Sequence, residues 1–290
     1  MSFRTLLLLV VGLPALVVGG AMALGLTIPV PHWGRDYVLR FALGGEEARP
    51  VDLPDIAGPD DPTRPLVVID AGHGGRDPGS VGGGVREKDV VLAIARALRE
   101  ELLEAGGIRV ALTREDDRIV PLADRPEIAR QLGADLFLSI HADSAGERGD
   151  VAGASIYTLS NEASSEAAAR FAERENDADR VNGIVIEGQS ETVSAILVEL
   201  SQSRTQEEAT EFASLIAREG EGRIAFHPQA RRSAALAVLR APDVPGVLFE
   251  SGFVTNRDDR ARLTTEEGRE AYAEVLARAI RVYFARRAGS

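Results

Sequence analysis

Four histidines, one lysine and no cysteine restrict the chemistry open to this 290-residue chain. Any metal it binds must be held by His and carboxylate side chains, since thiolate ligands are missing. Two of the histidines stand out by position. His73 and His141 each follow a short apolar run rich in β-branched or large aliphatic residues, Leu66–Ile69 and Leu136–Ile140. Such runs read as strands buried on both faces, and in open α/β sheets ligands gather beyond the carboxyl ends of the strands. Both histidines are therefore expected to open onto one crevice. Glu87 starts the helical stretch after the glycine-rich segment Asp70–Gly84, so the intervening loop can bring it back beside His73. Two His and one Glu are three protein ligands, the number a catalytic zinc takes while keeping a fourth position for water. Glu250 directly follows the apolar run Gly246–Phe249 and precedes Ser251-Gly252-Phe253. A carboxylate there is placed to deprotonate a metal-bound water and pass the proton to a leaving amine. Each residue also has a plainer reading: a lone His as a core or surface residue, Glu250 as a salt-bridged group at a sheet edge. The remaining pair, His32 and His227, read as structural or surface residues, His227 in a loop before Pro228.

The elements that must position these groups alternate between strand and helix. The pattern predicts strands at Leu66–Ile69, Ile108–Thr113, Leu136–Ile140, Ser155–Leu159 and Gly246–Phe249. Between them it predicts a helix over Glu87–Ala105, with apolar Val90, Val91, Ile94, Leu98 and Leu102 at helical spacing and Gly106-Gly107 as its stop. A second helix spans Leu122–Leu132, starting properly at Pro126; the stretch Asn161–Glu221 is mostly helical and strongly charged; a last helix covers Glu266–Ala285. Strands alternating with helices of this length make an α/β fold, a mostly parallel central sheet flanked by helices. The expected organisation is a signal peptide or N-terminal membrane anchor over 1–30 and a Pro/acidic linker over 31–64. One catalytic domain follows over 65–286, with a helical insertion at about 161–200.

A net charge of −12 argues against a nucleic-acid partner, whose phosphates call for clustered Lys and Arg. The loop Gly72-His73-Gly74-Gly75 lacks both phosphate-binding glycine spacings, so a nucleotide role is disfavoured too. The N-terminus carries Arg4 and then an apolar run from Leu6 to Val30, with Ala21-Met22-Ala23 as a small-x-small cleavage site. The run is also long enough, at roughly 20 residues, to span a bilayer uncleaved. Export follows on either reading, to the periplasm, soluble or anchored to the inner membrane.

Val68-Ile69-Asp70-Ala71-Gly72-His73-Gly74-Gly75, Asp77-Pro78-Gly79, Glu87-Lys88, Thr113-Arg114, Ser139-Ile140-His141-Ala142-Asp143 and Phe249–Asn256 occur in this order. Together these motifs resemble the zinc-dependent N-acetylmuramoyl-L-alanine amidases, the amidase-3 family of cell-wall hydrolases, over about Pro65 to Ala285. The resemblance implies that His73, Glu87 and His141 hold Zn2+ and that Glu250 is the catalytic glutamate. It implies a peptidoglycan substrate, cut at the amide between the lactyl group of N-acetylmuramic acid and L-Ala of the stem peptide. An arginine, Arg114 or another, is expected to hold stem-peptide carboxylates. Departures are Ala71 where Pro is usual and Asp143 where Asn is common. In the regulated Gram-negative members an inserted helix puts a glutamate on the zinc until a LytM-type activator protein removes it. Glu175 matches that position, with Gln189 and Glu191 as weaker candidates. The runs Ile184-Val185-Ile186 and Ile196-Leu197-Val198 are candidate surfaces for the activator. Two other readings stay open: a peptidase or deacetylase using the same His/Glu/His set, and a silent wall-binding module.

Overall fold

The computed structural model describes residues 51–146, 148–181 and 195–288. The expected export segment and residues 31–50 of the linker lie outside the described residues, as do Ile184–Ile186, Gln189, Glu191 and the side chains of Ile196–Val198. Among the described residues no helix is long and apolar enough to cross a membrane.

Apolar runs that alternate with amphipathic stretches must bury themselves in layers, and here they do so around one sheet. Its strands are β1 (Leu66–Ala71), β4 (Arg109–Leu112), β5 (Leu136–Asp143), β6 (Ala154–Leu159), β7 (Phe226–Ala234) and β8 (Gly246–Phe253), in the order β4-β1-β5-β8-β6-β7. All neighbours are parallel except β6 and β8. Every residue of β1, β5 and β8 is buried, which is why these strands read as continuous apolar runs. A two-stranded hairpin, β2 (Val81–Gly82) and β3 (Val85–Arg86), fills the loop after β1.

Helices cover both faces. On one lie α1 (Glu87–Ala105), α5 (Ala195–Gly220) and α7 (Glu266–Ala288), whose Ile94, Leu98, Phe212, Ile216, Leu276 and Ile280 pack on Ile69, Leu138 and Phe249. On the other lie α2 (Asp124–Gln131) and α3 (Glu166–Asn176), with Ile128, Ala168, Phe171 and Ala172 packed on Val68, Phe137, Tyr157 and Leu248. The short α4 (Ala178–Val181) continues α3, and α6 (Arg257–Thr264) precedes α7.

Four expectations need correction. β5 and β8 run beyond their apolar cores to Asp143 and Phe253, so His141 and Glu250 lie inside strands rather than just past them. The two strands pair with each other there, His141 beside Glu250, and that ladder sustains the extension. α2 begins at Asp124, two residues ahead of Pro126, because a helix's first turn needs no N–H from proline. His227 lies in β7 rather than in a loop. β7 is an edge strand, where Pro228 is tolerated and polar side chains face water, so it carries no apolar run to read. Finally, Ala57 bridges Val110 of β4, so the end of the acidic linker lies against the sheet edge.

Candidate metal centre

A polar shelf supports the loop that carries His73. Asp70, at the end of β1, is fully buried, and its carboxylate accepts from Thr113 Oγ1 (2.6 Å), Ser139 Oγ (2.7 Å) and Arg125 Nη1 (2.8 Å). Burial alone would raise this carboxyl's pKa; the Arg125 charge and the two hydroxyls outweigh it and hold the pKa below the usual carboxylate range. Arg125 also donates to the carbonyls of Ala71 and His73. Arg114 is wholly buried and donates to the carbonyls of Ala71, Gly72, Asp116 and Lys88. That corrects the expectation for Arg114: its guanidinium is spent on the backbone of this loop and has no face left for a substrate carboxylate.

On this shelf His73 adopts φ 58°, a left-handed backbone that a β-carbon makes costly and that clusters at functional positions. The conformation turns its ring so that Nδ1 lies 2.7 Å from Asp77 Oδ2, which fixes Nδ1 as the donor and aims Nε2 inward. Gly72 lets the loop approach His141 closely, since a β-carbon there would stand 2.4 Å from the imidazole. Gly79, at φ +65°, gives the return path: a β-carbon would meet the Glu87 carboxylate and the His73 ring at 2.6 Å.

Glu87 opens α1 and is buried beneath both rings. Its Oε2 accepts from Ser80 N (2.8 Å) and its Oε1 from Ala142 N (2.9 Å). Oε1 also lies 3.0 Å from His141 Nδ1 and 3.1 Å from His73 Nε2. Glu175 comes from the opposite side. In α3 it continues the buried stripe Ala168, Phe171, Ala172, where a carboxylate is costly unless something pairs with it. Its Oε2 stands 3.3 Å from His141 Nδ1 and 3.5 Å from His73 Nε2. The ligand atoms of His73, His141 and Glu175 all lie within 4.8 Å of one another.

These spacings fit a metal. Ligands at about 2.0–2.2 Å from a tetrahedral zinc stand roughly 3.3 Å apart, and the four His–Glu separations fall between 3.0 and 3.5 Å. His73 Nε2 is buried and makes no hydrogen bond despite its carboxylate neighbours. Burial would lower the pKa of both histidines, yet Glu87 and Glu175, joined at His73 by Asp77, outweigh it and raise each to about 10. A cluster that attracts positive charge this strongly suits a divalent cation, which competes with those protons.

Glu250 neighbours His141 across the β5–β8 ladder. Both of its carboxylate oxygens are buried with no hydrogen-bond partner, as is the hydroxyl of Ser155 opposite it on β6. Burial, then the charges of Asp143, Glu87 and Glu175, push its pKa well above the ordinary carboxylate value. Buried polar atoms are nearly always paired, so an unpaired carboxylate beside two histidines marks a place where a water or substrate belongs. Asp143 is paired with Arg174 of α3; burial raises its pKa to about 7, the Arg174 charge opposing. A groove of about 1010 Å³, lined by His73, Asp77, Ser80, Arg174, Glu175 and Val181, opens beside the cluster.

The structure thus brings His73, Glu87, His141, Glu175 and Glu250 together and keeps Arg114 and His227 out of the cluster. Asp143, singled out in the sequence as a departure that adds negative charge near the metal, does lie beside the cluster. Asp77 and Arg174 are neighbours of the cluster to which sequence reasoning gave no role, the motif Asp77-Pro78-Gly79 being the one hint of the first.

A family model described as N-acetylmuramoyl-L-alanine amidase matches residues 67–282. N-acetylmuramoyl-L-alanine amidase AmiA of Escherichia coli K12 is 40% identical over 221 residues, covering 76% of this chain and 76% of its own. AmiC of E. coli O6:H1 is 36% identical over 225 residues, 77% of this chain and 54% of its own. Among solved structures, the amidase AmiC2 of Nostoc punctiforme is similar with a TM-score of 0.54 at 31% identity, covering 76% of this chain and 97% of that one. By sequence and by fold, the chain belongs to the amidase-3 family of N-acetylmuramoyl-L-alanine amidases.

Proposed function

We propose that this enzyme hydrolyses the amide joining the lactyl group of N-acetylmuramic acid to the L-Ala of peptidoglycan stem peptides, outside the cytoplasmic membrane. His73, Glu87 and His141 would hold Zn2+, and the pairing of His73 with Asp77 would fix its tautomer and aim. When bound, the ion supplies Lewis acidity toward the scissile carbonyl and toward a water. Glu250 takes a proton from that water and delivers it to the departing L-Ala nitrogen. Its raised pKa makes it the stronger base toward that water, and its conjugate acid can still protonate the departing amine, which is the more basic group. The observation that carries this reading is the juxtaposition of a His/Glu/His set at zinc-ligand spacing with a buried carboxylate lacking any partner.

The same geometry supports an autoinhibited resting state. Glu175 faces the two histidines from the side opposite Glu87, where it would take the fourth coordination position and exclude water. α3 and α4 are pinned there by Asn176, which pairs with the backbone of Ala235 and Ala237, by Asp179 on Leu122 N, and by the Arg174–Asp143 pair. An activator, of LytM type by the family resemblance, would act by lifting this segment, in cell-wall remodelling or daughter-cell separation.

Product analysis tests the bond assignment. Digestion of purified peptidoglycan is expected to release stem peptides with a free L-Ala amine and to leave glycan strands uncut. Cleavage within the peptide, or loss of N-acetyl groups alone, would assign a peptidase or a deacetylase instead.

A further inference from the structure

Among the described residues three serines are buried in the sheet: Ser139 on β5, Ser155 on β6 and Ser251 on β8. A hydroxyl in such a place normally has a partner. Ser139 donates to Asp70 Oδ2 at 2.7 Å, and Ser251 to the His141 carbonyl at 2.6 Å. Ser155 has no partner, although only 2% of it is exposed. The proton path through Glu250 makes no use of it.

Glu250 is the residue opposite. On the antiparallel β6–β8 ladder Ser155 pairs with Glu250, and Tyr157 pairs with Leu248 two residues along. Opposite residues send their side chains to one face, with β-carbons about 5 Å apart. That face lies under α3, since Tyr157 and Leu248 pack there with Phe171 and Ala172. On its other flank Glu250 pairs with His141 of β5. Its carboxylate therefore stands between a candidate metal ligand and a hydroxyl, and neither of its oxygens is bonded. A lone donor and a lone acceptor side by side are complementary.

The register that makes this pair is held from outside it. Asp259 is fully buried, and its Oδ2 accepts from Gly153 N (2.8 Å) and Phe253 N (2.9 Å), tying the entry to β6 to the end of β8. Slippage by one residue would send Ser155 to the opposite face. A serine hydroxyl turns about one side-chain bond and a glutamate carboxylate about three. A β-carbon separation of about 5 Å is thus close enough for the short O–H···O⁻ bond, about 2.5–2.7 Å, that a carboxylate accepts.

We propose that Ser155 is a positioning residue for Glu250. Its hydroxyl donates to one carboxylate oxygen and leaves the other toward His141, where that oxygen takes the proton from water and passes it to the departing L-Ala nitrogen. The serine keeps its own proton throughout, so it supplies orientation and no transfer step. The bond belongs to the open site, once Glu175 has left the histidines. This inference rests on the amidase reading given above and deepens the role of Glu250 in it.

The test uses the zinc-loaded full chain carrying Glu175→Ala, with an N-acetylmuramoyl tripeptide as substrate. Adding Ser155→Ala is expected to lower kcat about tenfold, with KM and zinc content unchanged. Ser155→Thr and Ser155→Val share one shape, and of the two the threonine variant alone should keep kcat, within about threefold of the parent. In a chain that also carries Glu250→Gln, Ser155→Ala should lower the residual rate no further, because the base it orients is gone. Calorimetric binding of the tripeptide to that Glu250→Gln chain should be equal with and without Ser155→Ala. Full kcat in Ser155→Ala, an equal loss with and without Glu250→Gln, or weakened binding would each overturn the role. If the parent cuts nothing, the amidase reading falls, and a crystal structure of the same zinc-loaded chain still decides. Ser155 Oγ within about 3 Å of a Glu250 oxygen supports the pairing, and a longer separation overturns it.

Discussion

Glu250→Gln is expected to lower hydrolysis by roughly a thousandfold, within the range that general acid–base groups contribute, while the protein still binds one zinc. The amide has the same shape and cannot take a proton. The residue's own surroundings make this a clean test. Both carboxylate oxygens are buried without partners, so no structural hydrogen bond is lost on substitution. Glutamine leaves a buried polar group of the same size in place, so thermal stability should change little. Metal analysis, a digestion rate and a melting curve on one preparation separate these effects. A loss below tenfold would mean that another group carries the proton, with Asp143 the nearest acidic candidate in the sheet.

Glu175→Ala is expected to act in the opposite direction, raising basal hydrolysis tenfold or more. The carboxylate lies in the buried stripe of α3 and within 3.5 Å of both histidines, so its removal opens one position at the cluster. The increase is bounded because Asn176, Asp179 and the Arg174–Asp143 pair still hold the segment in place. Adding Asn176→Ala should therefore raise activity further, and the two changes share one opening, so they need not add. Rates of peptidoglycan solubilisation by the single and double variants, with zinc content measured in each, check this. Unchanged activity with zinc intact would remove Glu175 from the blocking role.

The parts of the fold that were legible in the sequence are those with local causes. Buried parallel strands announce themselves as apolar runs, and α1 by its apolar spacing and glycine stop; its range is the one read from the sequence. His73, Glu87, His141 and Glu250 could be singled out because each adjoins such an element. The lengths of β5 and β8 were not legible, since their last residues are polar and are held in strand form only by pairing with each other. β7 escaped for the same reason in stronger form: at the edge, with Pro228 and Arg231-Arg232, it owes its conformation to β6 alone. Arginines were the least legible of all. Nothing in the spacing distinguishes Arg114, sealed in the core on backbone carbonyls, from Arg232, half-buried at the sheet edge against Tyr157, His227 and the Gln229 carbonyl. That difference arises in part from contacts across 42 to 75 positions of chain, such as Arg114 with Gly72 and Arg232 with Tyr157, which a local pattern does not encode.

The most direct measurement is an anomalous difference map at the zinc edge, from crystals of the full chain grown after zinc loading. One peak is expected, at bonding distance from His73 Nε2, His141 Nδ1 and the carboxylates of Glu87 and Glu175. No peak among these residues, or a peak bonded to other side chains, would contradict the metal centre and the hydrolytic role built on it.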